Sequence, residues 1–62
     1  MRKVKVTYGT QRNTFVTTVL FGAGYDDIDN NDLKDMAIGQ IMVREMNGKG
    51  RYFKVYEVTV EE

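Results

Sequence analysis

Residues 26–48 read DDIDNNDLKDMAIGQIMVREMNG, and the change of character inside that stretch decides the fold. Most of Asp26 to Asp32 consists of short polar side chains that bond their own backbone and favour turns and helix N-caps over helix interiors. From Leu33 onward, Met36, Ala37, Ile38, Ile41, Met42, Val43 and Met46 recur at three- and four-residue steps, the period of an amphipathic helix. Leu33, Ala37 and Ile41 form one stripe, which Ile38 and Met42 widen to the breadth a core-facing helix needs. The stretch therefore reads as one capped helix, with Asn30 or Asn31 as N-cap and Asp32 and Asp35 near the positive end of its dipole. At the far end Arg44 lies in the last turns and Asn47-Gly48 offers a left-handed stop. Gly39 weakens such a helix by about 0.8–1.0 kcal/mol relative to Ala, and its presence suggests a strand backbone passing close by. A competing reading ends the helix at Gly39 and joins 41–46 to 51–60 as a hairpin. Caps at both ends and the helix-forming Met, Gln, Arg and Glu favour the long helix.

On the N-terminal side, Val4, Val6 and Tyr8 alternate with Lys3, Lys5 and Thr7, as in a strand with one buried face. Gly9 to Asn13 reads as a polar hairpin loop, and Thr14 to Phe21 as a strand dense in β-branched and aromatic residues. Phe15, Thr17, Val19 and Phe21 share one of its faces; Val16, Thr18 and Leu20 share the other. Gly22-Ala23-Gly24 ends that strand. On the C-terminal side Lys49-Gly50 turns the chain into a strand over 51–60, where Tyr56, Val58 and Val60 lie on one face and Glu57 and Thr59 on the other. Phe53 and Val55 have the opposite parity to Tyr56, so this strand is apolar on both faces at its start or carries a bulge. The order is β-β-α-β in one α+β domain spanning 1–62. Its expected architecture is a three-stranded antiparallel sheet with the first strand central and one helix packed on one face.

A 62-residue chain is a small domain, and such domains bury only about 60% of their unfolded surface. With no Cys and no His, neither disulfides nor a zinc-type cluster can help, which leaves association as the common aid. The 42% hydrophobic content is that of a packed domain rather than a disordered one. No apolar run approaches the roughly 18 residues of a membrane span and no signal-peptide pattern opens the chain, so the expectation is a cytoplasmic protein. His, Cys and Ser are all absent, so the common nucleophile–base pairs cannot be built. The expectation is a non-enzyme with no cofactor, no metal and no small-molecule substrate.

The Lys-Val-Lys-Val opening strand, the Thr-Phe-Val-Thr-Thr-Val second strand, the acidic lead into a helix and the closing Tyr-Glu-Val-Thr-Val strand make a pattern that covers the whole chain. In this order it resembles small phage-encoded host-takeover proteins that bind and inhibit host enzymes. The resemblance implies a phage-type inhibitor or modulator whose partner is a host protein. It lies in pattern alone and transfers no residue role.

Three candidate sites need weighing. Laid on a calcium-binding EF-hand loop from Asp27, the Asp run puts Asp32 where Gly is required and Ile38 where Glu is required, so it reads as a solvated helix lead. Gly22-Ala23-Gly24 lacks the Lys and Ser or Thr of a phosphate loop. Charge, zero overall, is segregated: Arg2, Lys3, Lys5 and Arg12 precede any acid, and five Asp follow within 26–35. A basic sheet surface of Arg2, Lys3, Lys5, Arg12 and Arg51 with Tyr8, Tyr52 and Phe53 nearby gives the alternative reading, a small nucleic-acid binder. A pI near 6.2 counts against it. The strongest signal is the two-sided apolar character of the second and third strands, since one helix covers only one sheet face. It marks Phe15, Val16, Arg12, Lys5, Phe53, Val55 and Arg51 as the expected partner-binding set. The partner is a host protein or a second copy forming a homodimer through the open face or an outer strand edge.

Overall fold

In a computed structural model that describes residues 1–10, 13–46 and 53–61, the chain forms the expected α+β fold. Strands β1 (Arg2–Thr10) and β2 (Thr14–Phe21) are followed by a 3-10 turn (Ala23–Tyr25), helix α1 (Asn30–Met46) and strand β3 (Phe53–Glu61). The sheet order is β2-β1-β3 and both pairings are antiparallel. The hairpin reading of 41–46 is overturned, because those residues are helical to Met46. The stop at Asn47-Gly48 and the turn at Lys49-Gly50 lie outside the described residues.

Alternation in β1 sets the two layers. Arg2, Val4, Val6 and Tyr8 are buried on the helix side, while Lys3 and Lys5 are exposed on the other. The core is Val4, Val6, Tyr8 and Phe21 from the sheet against Leu33, Ala37 and Ile41 from the helix, the stripe that the sequence period marks. Val19, Ile28, Met36, Phe53, Val55, Val58 and Val60 pack around it, half-buried. The helix lies chiefly over β3 and β1, so the helix-side face of β2 is incompletely covered.

Four local readings change. The N-cap is Asp29, ahead of the expected Asn30 or Asn31: its carbonyl accepts from the Leu33 N–H at 2.9 Å and its carboxylate from the Asn31 N–H at 3.0 Å. No strand backbone approaches Gly39, where a Cβ would meet nothing within 4 Å. Gly9 belongs to β1 rather than to a loop, with Thr14 opposite it and the Thr10 N–H bonded to the Asn13 carbonyl at 2.8 Å. Finally, β3 carries the bulge: Thr7 faces Glu57 and Tyr8 faces Val55, which leaves Tyr56 as the extra residue. The slip puts Phe53, Val55, Val58 and Val60 all on the helix side. It turns Tyr56 the other way, against the expected grouping with Val58 and Val60. There its ring covers Gly9, where a Cβ would stand 2.7 Å from Tyr56 Cε2.

Arg2, expected on a basic surface, is instead buried on the helix side. Its guanidinium donates to the Tyr25 carbonyl at 3.0 Å, to the Ile28 carbonyl at 2.6 Å and to Asn30 Oδ1. A planar fork of donors suits this task, because the carbonyls of a tight connection point inward without a strand to pair them. Phe21 and Tyr25 meet edge-to-face beside it, centroids 5.1 Å apart. Arg2 therefore ties the start of β1 to the connection that launches the helix.

Candidate interaction surface

The open side of the sheet can be built row by row from the strand registers. Leu20, Lys3 and Glu61 stand abreast across β2, β1 and β3; next come Thr18, Lys5 and Thr59, then Val16, Thr7 and Glu57. Thr14, Gly9 and Lys54 form the last row, with Tyr56 folded over Gly9 and the Lys54 ammonium 5.5 Å from the Tyr56 ring centroid. The face is thus graded from apolar on β2, through basic on β1, to mixed with two carboxylates on β3. Val16, Leu20 and Tyr56 are 58%, 57% and 55% exposed, high values for side chains of this size. Lys3 and Lys5 make no ion pair among the described residues, so their charges are available to a partner.

The expected partner-binding residues divide between the two sides. Lys5 and Val16 lie on the open face. Phe15, Phe53 and Val55 lie on the helix side around Tyr8, whose ring is 5.5 Å from that of Phe15 and 5.3 Å from that of Phe53. Tyr8 Oη donates to Glu45 Oε2 at 2.9 Å, with Thr17 Oγ1 at 3.5 Å, which pins the C-terminal part of the helix to the sheet. Phe15 sits at the rim of this cluster, 38% exposed, because the helix leans away from β2. Arg12 and Arg51 lie outside the described residues. Leu20 and Lys3 complete the open face and were legible from parity, since Leu20 shares that of Val16 and Lys3 that of Lys5. The position of Tyr56 was not, because it depends on where the bulge falls.

Among the described residues no three carboxylates come together to hold a metal, and the Asp run works as a helix lead with Asp29 as its cap. No described helix is long and apolar enough to cross a membrane. Compared with known proteins, the chain matches no family model, no curated protein and no solved structure.

Proposed function

We propose that the chain is a non-enzymatic protein-binding module that meets its partner through the open sheet face, as a phage-type modulator of a host protein in the bacterial cytoplasm. The observation that supports this reading is the uncovered face itself: Val16, Leu20 and Tyr56 are each more than half exposed on it, with Leu20 abreast of Lys3 and Val16 one row from Lys5. Large apolar side chains left in water on one face of a small domain make that face the candidate interaction site. The two lysines add a preference for a partner surface carrying carboxylates. Nucleic acid is the second reading, through Lys3 and Lys5 on the same face as Lys54 and Tyr56. Burial of Arg2 and the presence of Glu57 and Glu61 on the same face weaken it.

Affinity capture from bacterial lysate tests the proposal. The parent chain should retain one stoichiometric protein, and Val16→Lys should release it while the circular dichroism spectrum stays unchanged. Capture of nothing by the parent, or equal capture by parent and variant, would overturn the reading.

A further inference from the structure

We infer that two copies of the chain pair antiparallel along their β2 edges, about a two-fold axis at Thr17, to make one six-stranded sheet with both helices on the same side. The argument begins with backbone parity. The Thr10–Asn13 hydrogen bond closes the β1–β2 hairpin, and in an antiparallel ladder every second pair is hydrogen-bonded. The pairs Tyr8–Phe15, Val6–Thr17, Val4–Val19 and Arg2–Phe21 are therefore the bonded ones. Thr14, Val16, Thr18 and Leu20 accordingly point their N–H and C=O groups away from β1, along the outer edge of the sheet.

The two edges of this sheet differ in a telling way. β3 carries Lys54, Glu57 and Glu61 and is interrupted by the Tyr56 bulge, the devices by which natural sheets resist edge pairing. β2 has no charge, no Pro and no register shift over Thr14–Phe21, and the helix lies chiefly over the other two strands. One edge is guarded and the other is not.

The sequence of β2 is suited to itself. A two-fold axis between antiparallel strands is perpendicular to the sheet and keeps each face on its own side, so facing residues are symmetric about a single position. Centred on Thr17, Val16 faces the partner copy's Thr18, and Thr14 faces its Leu20. Every outward-pointing group from 14 to 20 then finds a partner, roughly eight hydrogen bonds in all. On the helix side Phe15 lies beside Val19 of the other copy, an aromatic–β-branched pair that covers the Phe15 surface the helix leaves bare. No like charges meet at the axis, because β2 has none. An edge-to-edge contact of this kind is small, so the dimer is concentration-dependent. It leaves the open faces of both copies side by side and does not depend on what binds them.

Sedimentation equilibrium, amide exchange by NMR and cysteine cross-linking test the assignment together. The mass should rise with concentration toward twice the 7.2 kDa of one chain. Over the same series the Val16 and Thr18 amides should slow in proportion to the dimer fraction, while Thr17 and Val19, already bonded to β1, change little. The chain has no Cys, so a single Thr17→Cys reports cleanly on the axis. Facing non-bonded residues have Cα atoms about 4.5 Å apart, within the roughly 4.4–6.8 Å of a disulfide. Under mild oxidant Thr17→Cys should cross-link readily. Thr18→Cys should not, since the two Thr18 positions are diagonal neighbours about 7–8 Å apart. A monomer at every concentration, a dimer whose Val16 and Thr18 amides stay unprotected, or equal cross-linking at 17 and 18 would each overturn the proposal. A monomer that still captures a host protein would end this inference and leave the open-face reading intact.

Discussion

Replacing Arg2 with Met should be the most damaging single change at the surface-facing end of the sheet, although sequence pattern alone marks Arg2 as an ordinary exposed base. Met keeps much of the side-chain stem and removes the guanidinium, so the Ile28 carbonyl and the amide oxygen of Asn30 lose the Arg2 donor, while the Tyr25 carbonyl keeps only the Ile28 N–H at 3.2 Å. Hydrogen bonds to a charged group are worth about 1.5–3 kcal/mol each. Three taken at face value would exceed what the site can lose, because Tyr25 and Asn30 are exposed and water replaces part of the loss. Ordering a long Arg side chain also costs up to about 2 kcal/mol, which the variant recovers in part. The net expectation is a loss of about 2–4 kcal/mol. A domain of this size has a total stability of about 3–9 kcal/mol, so the variant sits near the edge of folding. With an m-value near 1 kcal/mol/M, at the low end for small proteins, the urea midpoint should fall by about 2–4 M. Arg2→Lys should recover only part of this, since one ammonium cannot match a fork of donors spread over three acceptors. Equilibrium urea unfolding followed by circular dichroism measures all three proteins. If Arg2→Met lies within about 0.5 kcal/mol of the parent, as an ordinary surface substitution would, the buried tie does not hold the connection and the reasoning fails.

Three further changes follow from the structure. Gly39→Ala should stabilise the chain by about 0.8–1.0 kcal/mol, raising Tm by about 4–8 °C, because the helix leaves open space for the methyl group; calorimetry showing no rise would mean the position is constrained after all. Asp29→Ala should lower stability by about 0.5–2 kcal/mol through loss of the N-cap, whereas Asn31→Ala should not, and urea unfolding of the pair separates them. Phe15→Lys should cost about 0.5–1.5 kcal/mol in lost stacking on Tyr8 without unfolding the domain, while Val16→Lys should leave the urea midpoint unchanged; equal midpoints would contradict the assignment of these neighbours to opposite faces.

What the sequence determined by itself is the set of elements and most of their faces. Period-two alternation over Val4, Val6 and Tyr8 and the stripe of Leu33, Ala37 and Ile41 at four-residue steps are consequences of strand and helix geometry, so they identify the two halves of the core before any contact is known. The missing His, Cys and Ser are equally plain in the sequence. Tertiary structure decided the matters that depend on where one element lies against another. Whether 41–46 continues the helix was open because Ile, Met and Val suit either state; packing of Ile41 on the sheet and the Tyr8–Glu45 hydrogen bond accompany the helical one. Where β3 slips by one residue depends on its register with β1, and that slip sends Tyr56 to the open face and Phe53 and Val55 to the core side. Arg2 and Lys3 look alike as charges in a row, yet β1 turns them to opposite faces, and the carbonyls of Tyr25 and Ile28 await only one of them. Alternation fixes which residues share a face, whereas the lie of the helix over β3 and β1 fixes which face is covered, and that is why β2 keeps apolar side chains in water on both sides.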